Sequence, residues 1–400
     1  MAPKASKTRA PRERKPKPPK APTGNFISEW FGHRIYPTVV GTPQSLADQK
    51  TGRCPFLTAA TGTSTPCVKL KAGTSSGVCT ISSLSNGPRQ DWIVCPLRAI
   101  ESPLIEDAAR RLFAVQPTEF LELVAAPALQ LPQRRTDLLV RLSSGGRVIV
   151  YLHSKLGGEI SIAPTDRSPE LSFDTTLAEI VLENSTTARL GRYGIVEIQT
   201  MDFHGTYKHA VKNLTDALRL HRQRFPEALR DPENHRWMSD KVEGPNIANV
   251  FKRTFYQMIL KFRIGAHPPC VGCVMAIPAA VWDSWQRHLG RPDLFARGDG
   301  SFVMHAAPHA GQPGWKPPAW IYVFDVDAES ADTPNPITIQ KVIGTEAEAV
   351  AYYALNVVPD AATQAGGSVD RVLETLHSRL AGWWPELAPA IKLGPGPGSQ

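Results

Sequence analysis

Four hundred residues, 42% of them hydrophobic, suffice for one large α/β domain with a smaller appendage, or for two domains. No run approaches the ~20 apolar residues that a membrane helix needs, and no apolar stretch of signal-peptide type opens the chain. A cytoplasmic protein without a membrane partner is therefore expected. The formal charge of +8 is lopsided: residues 1–22 hold eight basic side chains against Glu13 alone, a net of +7, which leaves +1 for the remainder.

Residues 1–24 are rich in Lys and Pro without apolar periodicity, and are expected to form a disordered basic tail. Residues 25–100 hold Cys54, Cys67, Cys79 and Cys95, several Gly/Ser/Thr turns and few helix signals; they read as a small four-cysteine module of short strands and loops. The main domain spans 101–390. Amphipathic helices are expected over Pro103–Ala114 and Arg134–Leu142, a buried strand over Arg147–Leu152, and a second strand at Gly157-Gly158-Glu159-Ile-Ser-Ile162. Helices follow at Thr206–Arg222 and Pro245–Phe262, then a strand at Cys273–Ile277 and a Trp-rich helix opened by Pro278. Strands at Ala319–Asp325 and Ile337–Ile343 are expected to pair. Helices at Glu346–Asn356 and Ser368–Leu380 precede a flexible end at 391–400.

The chemistry-bearing pattern lies between Leu171 and Thr200. Asp174 stands in Leu171-Ser-Phe-Asp174, and Glu197 and Gln199 stand two apart on the strand-like run Tyr193-Gly-Ile-Val-Glu197-Ile-Gln199-Thr. Side chains alternate across a strand, so Glu197 and Gln199 share a face. Two carboxylates supply the hard oxygen ligands that Mg2+ prefers, and a neighbouring polar group can face an attacking water. The spacing alone leaves this site and an ordinary pair of structural carboxylates both open. The four cysteines, separated by 12, 11 and 15 residues, lack the tight pairing of zinc knuckles, so metal ligation and buried free thiols both remain open. Cys270-Val-Gly-Cys273 has only two ligands and begins a buried strand, where small thiols pack as core. His305-Ala-Ala-Pro-His309 has ligand spacing, but Pro and Gly deny it a helix.

Longer blocks narrow the choice. Asn25-Phe-Ile-Ser-Glu29-Trp-Phe-Gly-His33-Arg34-Ile-Tyr36-Pro, the run Gln199-Thr-Met-Asp202-Phe-His204-Gly-Thr-Tyr207-Lys208-His209, and Lys241-Val-Glu243-Gly-Pro-Asn246-Ile-Ala-Asn249-Val-Phe-Lys252-Arg253-Thr-Phe-Tyr256-Gln257, together with the order of the four cysteines, resemble the NotI-type restriction endonucleases. These belong to the PD-(D/E)xK nucleases. The resemblance runs from about Asn25 to Leu289 and weakens beyond. It implies an α/β PD-(D/E)xK core, a mixed central sheet flanked by helices, and a homodimer that cuts double-stranded DNA at a GC-rich palindrome with a GGCC core, GCGGCCGC or related. A cognate DNA methyltransferase would accompany it in a bacterial cytoplasm.

By the same resemblance, Asp174, Glu197 and Glu159 hold catalytic Mg2+, and Gln199 stands where most of the superfamily has Lys. A neutral amide orients water by hydrogen bonding but cannot act as a base. The four cysteines would hold structural iron, with zinc the alternative. Arg192 and Glu170, flanking the catalytic segments, would read guanine and cytosine. Lys208, Lys241, Asn246, Lys252 and Arg253 are candidate phosphate or base contacts. A catalytically inactive, sequence-specific DNA-binding metalloprotein on the same scaffold is the alternative.

The charge distribution makes the tail testable. Deleting residues 1–22 is expected to preserve specific cleavage at low salt while making the slope of log affinity against log salt shallower. Titrating binding to a nonspecific duplex over a salt series measures the slope, and a changed cut sequence would mean that the tail reads bases.

Overall fold

The computed structural model describes residues 24–69, 76–84, 87–100, 102–184, 186–306, 315–364 and 367–387. The tail at 1–23, His309 and the C-terminal segment 391–400 lie outside these residues. The described strands are β1 (Phe26–Trp30), β2 (His33–Arg34), β3 (Val78–Ser83), β4 (Gln90–Ile93), β5 (Leu121–Ala125), β6 (Arg147–His153), β7 (Ile160–Ile162), β8 (Leu171–Phe173), β9 (Thr175–Leu182), β10 (Ala188–Ile198), β11 (Cys270–Pro278), β12 (Phe295–Ala296), β13 (Phe302–Val303), β14 (Ala319–Val326) and β15 (Ile337–Thr345). Nine of them form one mixed sheet in the order β12-β13-β15-β14-β11-β10-β9-β6-β5. β10, β11 and β14 run parallel, β9 lies antiparallel to β10, and β15 lies antiparallel to β14 as their sequences suggest. The protein is thus a mixed α/β structure with a large sheet flanked by helices.

Both faces of the central strands are buried, which explains their continuous apolar runs. On β10, Val196 and Ile198 join one apolar core and Ile195 the other. On β14, Trp320, Tyr322 and Phe324 face the first core, while Ala319, Ile321 and Val323 face the second. Helix Ser102–Leu112 supplies Leu104, Ile105, Ala108, Ala109 and Leu112 to the first, an i, i+3, i+4 stripe. Helix Ile247–Gly265 supplies Val250, Phe251, Met258 and Phe262 to the second, beside the Trp-rich helix Ala279–Leu289.

The sheet order β2-β1-β3-β4 organises residues 26–93. Its core is continuous with the large sheet: Ile27, Trp30, Ile81 and the four cysteines belong to the same cluster as Val196 and Ile198. Two helices, Pro43–Thr51 and Pro55–Thr61, occur where the sequence offers few helix signals. The first is polar and short, so apolar periodicity does not announce it. Its ends do: Thr42 accepts from the Ser45 N–H, Pro43 opens the first turn, and Gly52 closes it at φ 71°.

A second departure concerns the candidate site. The strand signals between Arg147 and Thr200 read in sequence as successive strands of one mixed sheet, with Glu159 and Asp174 on two of them. Instead β7 and β8 form a separate two-stranded hairpin, and Asp174 sits at the bend between β8 and β9. Gly157, at φ +97°, lets the chain turn out of β6; an added Cβ there would stand 2.9 Å from the Ala126 Cβ.

The packing on the second face carries a stability expectation. Phe262 is 1% exposed beneath the sheet. Phe262→Ala is expected to lose about 3–5 kcal/mol in urea unfolding.

Candidate active site

Asp174 and Glu197 are brought together by the β9–β10 pairing. Thr175 lies opposite Val196, so the bend residue Asp174 meets the next position, Glu197. The Ile198 N–H donates to Asp174 Oδ2 (3.0 Å), and the Asp174 N–H donates to Glu197 Oε1 (3.3 Å). Asp174 Oδ1 has no hydrogen-bond partner among the described residues. Glu159 is exposed and immediately precedes β7. Since Ile160 pairs antiparallel with Phe173, one further step of that register sets Glu159 across from Asp174. His153, at the end of β6, braces the bend: its Nδ1–H donates to the Asp174 carbonyl oxygen (2.8 Å) and lies 3.0 Å from Thr175 Oγ1. Burial pushes the His153 pKa down, against the nearby charges of Asp174 and Glu159.

Glu197 is 4% exposed, and burial beside the charge of Asp174 pushes its pKa up to about 7. Lys261, itself 5% exposed on helix Ile247–Gly265, pairs with Glu197 Oε2 and opposes that rise. Gln199 lies just past β10, where its N–H continues the ladder to the Ala276 carbonyl (3.0 Å). Thr254 Oγ1 donates to Gln199 Oε1 (2.6 Å), and Gln199 Nε2 donates to the Thr200 carbonyl oxygen (2.7 Å). Its amide is thus held at both ends. Cys273 is fully buried behind Glu197, and burial raises its pKa well above the ordinary thiol value.

Lys261 and Thr254 were not singled out in the sequence. A signal was present: Val250, Thr254, Met258, Lys261, Phe262 and Gly265 share one buried helix stripe, on which a lysine is out of place. Glu179 on β9 was also missed. It is 5% exposed, with Arg192 Nε donating to Oε2 (3.0 Å) and Arg147 paired with Oε1. Arg192 therefore begins from an ion pair rather than from open solvent. Glu170 is exposed immediately before β8, and Lys208 is exposed at the start of helix Lys208–His221. Lys241 and Lys252 are exposed; Arg253 pairs with Asp202, and the Asn246 N–H donates to the Asp202 carbonyl oxygen (2.8 Å). That contact ties the 241–253 block to the segment just beyond Gln199.

The four N-terminal cysteines are 5–9% exposed and close enough for their charges to interact. Burial pushes the Cys54 thiol up to about 12, with Cys95 and Cys67 adding to the rise. A hydrogen bond between Cys79 and Cys95 lowers the Cys95 pKa and raises that of Cys79, so one thiol shields the other's negative charge. This donor set suits a soft, four-coordinate metal. Among the described residues, however, no group of three or more His, Cys, Asp or Glu side chains is drawn together at ligating geometry, in this cluster or at Asp174 and Glu197. Cys270 and Cys273 lie in the second core, as ordinary packed thiols do. No known family model matches the chain, and no curated protein matches it.

The buried carboxylate has a pH signature in metal-free protein. The folded-state pKa of Glu197 lies above its ordinary value of 4.5, so the folded state binds the extra proton between about pH 4.5 and 7. Stability is then fully present below pH 4.5 and falls as pH rises towards 7, by up to about 3 kcal/mol. A Glu197→Gln/Lys261→Met double variant, which removes both buried charges, is expected to lose that slope when urea unfolding is followed against pH in EDTA. Persistence of the slope would assign it to other groups.

Proposed function

We propose that this protein is a Mg2+-dependent, site-specific DNA endonuclease of the restriction type, acting as a homodimer on a GC-rich palindrome. The observation that carries the reading is the lock between Asp174 and Glu197, two carboxylates held side by side by backbone N–H groups at the end of a buried strand. Two such charges at a low-dielectric site favour a divalent cation, and the Asp174 Oδ1 lone pairs are available to it. Glu159, which precedes the hairpin across from Asp174, would be the third carboxylate once a cation draws it in. Mg2+, when bound, would supply Lewis acidity towards a phosphate oxygen and lower the pKa of a coordinated water.

The chain's own groups divide the remaining work. Gln199, its amide fixed by Thr254 and the Thr200 carbonyl, orients water by hydrogen bonding and carries no charge. Lys261 supplies the positive charge that Gln199 lacks, from a helix rather than from the strand. Exposed Lys208, Lys241 and Lys252 suit phosphate contacts, while Arg192 and Glu170 suit guanine and cytosine edges. Cys54, Cys67, Cys79 and Cys95, buried near one another, would be the ligands of a structural iron or zinc once drawn in to ligating distance. A two-fold target requires two copies of this site, one for each strand.

One observation favours a second reading. Lys261 already neutralises Glu197, as in a scaffold that binds DNA without cutting it. Incubation with a genome-scale DNA pool and Mg2+, followed by sequencing of the ends, separates the two. Asp174→Ala and Glu197→Ala are each expected to abolish cleavage while binding in Ca2+ persists. Undiminished cutting by either variant would remove this site from the mechanism.

A further inference from the structure

Arg192 is held on one edge only. Its Nε donates to Glu179 Oε2 (3.0 Å) and its Nη2 to Glu179 Oε1 (3.4 Å), so the carboxylate occupies the side-on edge of the guanidinium. The end-on edge, formed by Nη1 and the second Nη2 proton, makes no protein contact among the described residues, and the Arg192 side chain is 52% exposed. Glu179 itself is 5% exposed and clamped from the other side by Arg147, which also donates to the Phe113 carbonyl oxygen (3.5 Å). Gly191 makes the approach feasible: a Cβ there would stand 3.2 Å from Glu179 Oε2 and 3.3 Å from Cγ. Burial resists the charge on Glu179, but Arg192 and Arg147 overcome it and hold the pKa below the usual carboxylate range.

An arginine that reads a base must have its fork oriented before the base arrives, because a free side chain loses up to about 2 kcal/mol of rotamer entropy on binding. An end-on fork matches guanine O6 and N7. We propose that Glu179 is a specificity-determining positioning residue, which fixes Arg192 in the end-on orientation for a guanine in the major groove and is seated by Gly191. This rests on the reading of the protein as a sequence-specific DNA-binding enzyme. Glu179 touches no DNA in this arrangement and acts through Arg192. With two guanidinium groups on one carboxylate, the cluster keeps a net positive charge towards the duplex.

The test is binding-site selection from a randomised duplex pool with the full chain in Ca2+, which reads preference without requiring cleavage. Wild type, Arg192→Ala, Glu179→Gln, Glu179→Ala and the Arg192→Ala/Glu179→Gln double variant are compared, with melting temperature and nonspecific affinity measured alongside. Glu179→Gln retains volume against Gly191 and isolates the lost charge should Glu179→Ala fail to fold. The expected result is a roughly 10-fold loss of preference at one symmetric pair of positions in Glu179→Gln. The same pair should change in Arg192→Ala, with no further loss in the double variant. Preference unchanged in Glu179→Gln, or lost evenly at all positions with a fall in melting temperature, would overturn the inference while leaving the DNA reading intact. A wild-type protein with no sequence preference would overturn both.

Discussion

The ion pair between Glu197 and Lys261 is the constraint on which the centre of this protein depends. Both groups are nearly sealed from water. Removing one partner of such a pair typically costs about 3–5 kcal/mol, because the survivor is left charged in a poor solvent. The pair therefore fixes helix Ile247–Gly265 against β10. The helix crosses between parallel strands β10 and β11 and must run opposite to them. Thr254 accordingly meets Gln199 while Lys261, two turns later, meets Glu197. Seven helical residues cover about 10 Å and two strand residues about 7 Å, and the long lysine stem takes up the difference. One helix thus orients the amide and balances the carboxylate.

A second arrangement of charge lies farther along β9 and β10. There Glu179 is shared by Arg147 and Arg192, so the surplus is positive, whereas around Asp174 and Glu197 the surplus is negative. The two clusters project from opposite faces of the same strand pair: Glu179 from the face of Leu177 and Ile149, Glu197 from that of Ile195.

Much of this was legible in the sequence where a single element carries the information. The apolar run from Tyr193 marks a strand, and Glu197 and Gln199 fall on one face of it. The stripe in 102–112 marks a helix, and Asp174 stands out beside its apolar neighbours. The missed features are relations between elements. Lys261 gains its role from Glu197, 64 residues away, and Glu179 from arginines on two other strands. Glu159 required knowledge of a hairpin outside the main sheet, which three-residue strands barely signal. Helix Pro43–Thr51 was hidden because its stability rests on Thr42, Pro43 and Gly52 rather than on an apolar stripe.

The cluster that joins Ile27, Trp30 and the four cysteines to Val196 and Ile198 has a further consequence for modularity. A chain cut at residue 101 would not release an independently packed body. It would bare the face of β10 that carries Val196 and Ile198, the face opposite to the one from which Glu197 projects. The cysteine region is therefore a wall of the protein's main core, and recombination that exchanged it for another appendage would have to rebuild that wall residue by residue.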